Sequence, residues 1–219
     1  MKKVLILALA IVYGIVSYGQ GFGVQVGLNM GSYTESYVIE SVTVSQSYKG
    51  KIGLYLGINY DLEIKDNMYV SIGGALSQYG GKYVDEDNDV YELTINYLEF
   101  PMLFKYGFEL SDGMNLFLNA GPVMGLAIGG KEEVTYDNKS YKWDIGITNK
   151  VTEDDLQNEM DIYKTFIKRT NLSLRLGGGL NFNKFELGIF YTAGLSNISP
   201  WKNGKAKTGL FSVVAGMRF

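Results

Sequence analysis

A period of two dominates this chain and limits what it can fold into. Phe22, Val24, Val26, Leu28 and Met30 alternate with Gly21, Gly23, Gln25, Gly27, Asn29 and Gly31. The same split returns at Ile52, Leu54, Leu56, Ile58, Tyr60 and Leu62, opposed by Gly53, Tyr55, Gly57, Asn59, Asp61 and Glu63. Successive side chains of a strand point to opposite faces of its sheet, so each alternation defines one apolar and one polar face. Less regular versions at 68–79, 91–109, 114–129, 168–182, 185–195 and 208–219 bring the number of expected strands to eight.

The connections alternate too. Lys65-Asp66-Asn67, Ser111-Asp112-Gly113 and Asn183-Lys184 are tight turns made of turn-forming residues. Between them lie longer connections at 32–49, 80–90, 130–167 and 196–207, which are polar, charged and rich in tyrosine. Short turns at one end and long loops at the other are the layout of an outer-membrane barrel. A soluble barrel would turn its apolar face inward and carry Lys, Glu and Asp outside. Here the other face is mostly Gly, Ser, Asn and Gln, which suits a narrow lumen. The 28 glycines, against only 3 prolines, find their use on that crowded inner side. Tyr60, Phe108, Phe182, Phe185 and Phe219 fall on the apolar face at the strand ends nearest the short turns, where they would form an aromatic girdle. The expected fold is therefore all-β: an eight-stranded antiparallel up-and-down transmembrane β-barrel with short periplasmic turns and long external loops.

Lys2 and Lys3, the apolar run from Val4 to Val16 and the small residues of Ser17-Tyr18-Gly19 have the form of a secretory signal peptide. The alternative is a buried N-terminal helix or strand; a membrane-spanning helix would want about 20 apolar residues. The expected division is a signal peptide at 1–19 and an outer-membrane barrel domain at 20–219, with both termini of the mature barrel periplasmic. Loss of Lys2 and Lys3 takes the 20 basic residues to 18 against 23 acidic ones. That balance offers no electrostatic footprint for nucleic acid.

The absence of His and Cys excludes imidazole-based triads, thiol nucleophiles, thiolate metal sites and disulfides. No paired carboxylates can be placed for a carboxylate-only mechanism. No cofactor is expected. Glu99, Lys105, Glu109, Arg175, Glu186 and Arg218 fall on the inward face by parity. Enclosed charges must pair or be hydrated, so these six are expected to form a salt-bridged luminal network. The competing reading is a polar pathway for a small ion or proton. Tyr91, Leu93 and Ile95 are apolar at odd positions, whereas Leu98, Phe100, Met102, Phe104 and Tyr106 are apolar at even ones. A bulge between Asn96 and Leu98 would reconcile them, and Pro101 fits an irregular strand.

Tyr97-Leu98-Glu99-Phe100-Pro101-Met102-Leu103-Phe104-Lys105-Tyr106 resembles the Tyr-x-Glu-Φ-Pro-Φ-x-x-Lys-Tyr stretch of the small outer-membrane barrels of Bacteroidota, the PorT-like or "porin family" proteins. Arg169 to Gly179 looks like that family's sixth strand, and the chain ends on Phe219 as such barrels do. The resemblance implies an eight-stranded barrel placed by the outer-membrane insertion machinery, with Phe219 and the last strand as its signal. It implies no single function, although PorT itself is associated with secretion across the outer membrane. The long third loop of this chain departs from the pattern.

Asp85-Glu86-Asp87-Asn88-Asp89 alternates like a calcium loop but has Val90 and Asn96 where Gly and Glu are required. An acidic loop that loosely attracts divalent cations near lipopolysaccharide fits better. Lys202, Lys205 and Lys207 beside Trp201 suggest contact with lipid phosphates, or a solvated loop with an interfacial Trp. Thr152-Glu153-Asp154-Asp155 reads as the cap of a short helix over 156–166. So long a loop is the preferred place for a ligand, a partner or a lid, and deleting 132–160 is expected to abolish activity while the barrel still inserts. The expected role is non-enzymatic: structural, adhesive or accessory to an envelope or secretion complex, with outer-membrane lipid and lipopolysaccharide as surroundings. A narrow small-solute channel is the alternative.

Overall fold

A computed structural model of the chain describes residues 21–39, 42–137, 139–151 and 165–219. The expected signal peptide at 1–19 lies outside them. In chain order the strands among the described residues are β1 (Phe22–Ile39), β2 (Val42–Lys65), β3 (Met68–Val84), β4 (Val90–Ser111), β5 (Met114–Tyr136), β6 (Lys139–Asp144), β7 (Gly146–Ile147), β8 (Phe166–Ile167), β9 (Thr170–Phe182), β10 (Phe185–Gly194) and β11 (Gly204–Arg218).

Eight long strands close into a ring. Neighbours run β1-β2-β3-β4-β5-β9-β10-β11, and β11 returns to β1 from Gly23 opposite Arg218 up to Tyr37 opposite Gly204. All of these pairings are antiparallel. Parity decides direction. Leu54 is 62% exposed and its neighbour Tyr55 only 6%. Leu28, Leu56, Leu118, Leu176, Leu187 and Ile189 stand outward in the same way all round the wall. A continuous apolar band of that extent is stable only against lipid.

The turn end is tightly built. Asn67 and Asn183 hold positive φ (64° and 51°), and Gly113 holds 75° in the turn between β4 and β5. Asn and Gly tolerate that left-handed region better than other residues. Phe108, Phe182, Phe185 and Phe219 are exposed here and Tyr60 is half-buried, so the girdle residues share this end. Phe219 rests on Phe22, with ring centroids 6.2 Å apart.

The loop end departs from expectation. Residues 32–39 and 42–49 belong to β1 and β2, paired from Ser32 opposite Lys49 to Ser36 opposite Ser45. Their Tyr, Thr and Val content favours strand. Because both faces stand above the lipid, they lack the apolar alternation by which the membrane-crossing stretches are recognised. The third connection is likewise partly strand: β5 runs on to Tyr136 and β6 folds back along it. The helix expected over 156–166 falls largely outside the described residues, and Phe166, its last residue, lies in β8, paired in parallel with β7.

The bulge sits on a different strand from the one expected. Asn96 faces Gly129 and Tyr97 faces Ala127, so the extra residue is Ile128 on β5. β4 keeps its parity, and Leu93, Ile95 and Tyr97 point inward with Glu99, all of them at most 1% exposed. The change from odd to even apolar positions marks a change in the lumen, which is polar toward the turn end and apolar toward the loop end.

Candidate functional site: the lumen and the loop-end mouth

Glu99 and Arg175 come from β4 and β9, the two strands that flank β5. Their side chains are 1% and 4% exposed, with Arg175 Nη2 2.8 Å from Glu99 Oε2. Tyr79 donates its hydroxyl to the other Glu99 oxygen, and Arg175 Nε donates to Thr192 Oγ1 at 2.9 Å. Nearer the turn end, Lys105 Nζ lies 2.8 Å from Glu186 Oε2 and 3.1 Å from Asp61 Oδ2, over the face of Phe117 at 4.3 Å. Arg218 Nη2 closes on the same Asp61 oxygen at 2.9 Å. Gln25 joins the two groups, donating to Glu186 Oε1 at 2.8 Å and accepting from the Tyr55 hydroxyl at 3.4 Å. The Arg175 guanidinium lies over the Tyr55 ring.

Three carboxylates thus meet three cations in the lumen: Asp61, Glu99 and Glu186 with Lys105, Arg175 and Arg218. Buried charges in such numbers are tolerable only when paired and hydrogen-bonded. Five of the six residues singled out from the sequence take part. Glu109 does not: it is exposed on β4 beside Asn115, with no ion pair among the described residues. It lies one turn from the barrel's rim, where parity no longer implies enclosure. Asp61, the link between Lys105 and Arg218, was missing from that set. Its place on the polar face of the second strand was legible, but its partners lie on β4 and β11, far away in sequence.

A cavity of about 20 Å³ beside Lys105, Asn119, Asn59 and Arg175 is room for about one water. Among the described residues, the buried Oδ1 atoms of Asn59 and Asn119 have no protein partner and fit such a water.

Above the charges an apolar cluster fills the bore. Tyr79, Leu93, Ile95, Tyr97 and Leu210 from the wall meet Ile145, Ile167 and Ile198 from the third and fourth connections. Ile167 and Ile198 are wholly buried. Tyr33, Tyr48, Tyr83 and Tyr91 continue this inner face as a row across β1 to β4, with successive ring centroids 5.8, 5.9 and 6.0 Å apart. Glu132, beyond the apolar band, accepts from Trp143 Nε1 and from the Thr165 backbone N–H, each at 3.1 Å. It thereby ties both arms of the third connection to β5. Burial pushes its carboxyl above the usual range, against the effect of those two donors.

The remaining loop residues take ordinary roles. Asp85 accepts from the backbone N–H groups of Asp87 and Asp89 at 3.0 and 2.9 Å, which shapes a turn. Trp201 packs edge-on against Phe166 at 6.2 Å, so it helps join the third and fourth connections. Lys202, Lys205 and Lys207 are exposed, the last two opposite Ser36 and Thr34 of β1.

The closed antiparallel ring, apolar outside and charge-paired within, defines an integral membrane β-barrel. Residues 19–199 match the outer membrane protein beta-barrel domain family, and the chain belongs to that family. The chain is an outer-membrane protein accordingly. Among solved structures it is similar to Neisserial surface protein A (11% identity, 91% of this chain and 98% of that one, TM-score 0.45). It is also similar to the attachment invasion locus protein Ail of Yersinia pestis (16% identity, 89% and 98%, TM-score 0.36) and to the outer membrane protease OmpT of Escherichia coli (10% identity, 92% and 98%, TM-score 0.32). No curated protein matches the chain.

Proposed function

We propose that this protein is a non-conducting, non-enzymatic barrel that displays its loop end outside the cell as a contact surface, adhesive or accessory to an envelope complex. The observation that carries this reading is the doubly closed bore. Three ion-paired carboxylates and three cations fill it from the turn end up to Glu99 and Arg175, and an apolar cluster fed by both loop connections lies above them. An ion would have to displace Arg175 from Glu99 and then enter a space lined by Leu and Ile, at a desolvation cost that no hydrated path offsets. Strands reaching well beyond the lipid band give the external surface a rigid base.

In this arrangement the turn end and both termini face the periplasm after removal of the leader at 1–19, and Phe219 with β11 serves the insertion machinery. The Tyr97 to Tyr106 stretch favours the small PorT-like barrels of Bacteroidota, and with them an accessory role in an envelope or secretion complex. Purified barrel in a planar bilayer is expected to give no reproducible conductance steps. Discrete steps of constant size would overturn the closed-bore reading in favour of a narrow channel. Crosslinking in the native envelope from the exposed Lys139 or Lys142 is expected to capture one partner at constant stoichiometry.

A further inference from the structure

On the lipid-facing side of the wall a groove of about 400 Å³ is lined by Leu54, Leu56, Leu76, Gln78, Asn96 and Ile128. Its cause is local. The β2–β3 ladder is interrupted between Lys49 and Tyr55, and β5 is bulged at Ile128. The freed backbone is satisfied from both sides: Asn29 inside donates to the Leu54 and Gln78 carbonyls at 3.2 Å each, and Gln78 Oε1 outside accepts from Leu54 N at 3.1 Å.

Two features of this groove lack an explanation within the protein. Gln78 and Asn96 are paired across β3 and β4. Among the described residues, neither the Gln78 amide nitrogen nor the Asn96 side chain has a protein hydrogen-bond partner. An amide facing lipid without a partner is costly. Next, Lys49 and Lys82 stand directly opposite each other on β2 and β3. Like charges so placed repel. Lys51 joins Lys82 at Glu92, at 2.7 and 3.8 Å. Lys131 lies opposite Thr94, one same-face step above Asn96. Asp144 faces Lys131 in the β5–β6 ladder without closing an ion pair, and Glu133 is taken by Lys142 at 3.0 Å. Beyond the groove, toward the loop end, the register therefore places four lysines against two carboxylates, Glu92 and Asp144.

We propose that this groove binds a phosphorylated, multiply acylated glycolipid of the outer leaflet, of the lipid A type. One acyl chain lies along Leu54, Leu56, Leu76 and Ile128, its amide or ester carbonyl accepts from Gln78 and Asn96, and a phosphate sits between Lys49 and Lys82. Four residues separate Gln78 from Lys82, about 13 Å along a strand. Lysine side chains bend toward an interface, so the interval suits the sugar between acyl chain and phosphate. The outer-leaflet source rests on the reading that the loop end faces outside.

Folded barrel in detergent, titrated with lipid A, is expected to form a one-to-one adduct by native mass spectrometry and to shift upward in unfolding temperature. The K49Q/K82Q double variant should bind at least tenfold more weakly, as should Q78L/N96L, with both retaining heat-modifiable gel migration. Wild-type barrel titrated with dephosphorylated lipid A supplies an arm independent of any variant's folding, and it should also bind at least tenfold more weakly. No adduct, equal binding of the dephosphorylated lipid, or equal binding of phosphatidylglycerol would each overturn the proposal. Labelling of Lys139 on intact cells tests orientation separately. Exclusion of label there would remove the outer-leaflet assignment while leaving the binding measurement to stand or fall by itself.

Discussion

Replacing Arg175 with methionine isolates the energetics of the lumen. The change leaves Glu99, 1% exposed, with Tyr79 as its remaining hydrogen-bond donor. Removing one member of a buried ion pair costs about 3–5 kcal/mol, because the other charge stays in a low-dielectric site without compensation. At an m-value near 3 kcal/mol/M, the urea unfolding midpoint in vesicles should fall by about 1–1.7 M. The E99Q/R175M double variant removes both charges while the new amide still accepts from Tyr79. It should recover to within about 1 kcal/mol of the parent, since apolar replacement of a whole buried pair is often neutral. The assay is the fraction of heat-modifiable, compact protein on a gel as a function of urea. Two outcomes would refute the reasoning: a single variant within about 0.5 kcal/mol of the parent, or a double variant as unstable as the single. Either would mean that water reaches Glu99 freely, and the closed bore would go with it.

Ile189 stands outward, 52% exposed, midway along β10. I189R should destabilise the barrel by about 2–4 kcal/mol in vesicles, while the same change at Phe185 in the girdle should cost about 0–1 kcal/mol; equal costs would contradict the assigned membrane depth. Glu132 gives a pH test. Its carboxyl is raised when the third connection is docked, so the docked form holds the proton more tightly than the released form. Docking is fully favoured below the ordinary glutamate value of about 4.3 and weakens as pH rises through the raised value. E132Q keeps an acceptor for Trp143 and Thr165 and removes the charge. Tryptic cleavage after the exposed Lys150 should therefore be slower in the variant than in the parent at pH 7.5, with the ratio moving toward one as pH falls toward the ordinary glutamate value. A ratio of one throughout would show that Glu132 does not hold the loop.

Strand parity was legible because lipid imposes the same demand on every outward position: Leu54, Leu56 and Ile58 declare their face without knowledge of any partner. The same rule placed Glu99, Lys105, Arg175, Glu186 and Arg218 inward. It failed at Glu109, where the strand had already left the enclosed part of the bore. It also misled at Leu93 and Ile95, since an apolar residue above the membrane can serve an inner plug as readily as a lipid face. The stretch 32–49 was hidden for the converse reason, as Ser, Thr and Tyr alternate there without contrast between faces.

What the sequence by itself determined is the barrel: eight membrane strands, their direction, their turns and the face each shows to lipid, all consequences of local alternation and local turn chemistry. Only the tertiary structure decided which charges meet. Asp61 belongs with Lys105 and Arg218, and Glu99 with Arg175, because closing the ring brings β2, β4, β9 and β11 across a bore a few side chains wide. It likewise decided that Ile145, Ile167 and Ile198 stop the mouth, that Gln78 and Asn96 line one groove, and that Lys49 and Lys82 face each other beyond it. Such juxtapositions join positions far apart in the chain, 157 residues in the case of Asp61 and Arg218. No pattern with a period of two carries that information.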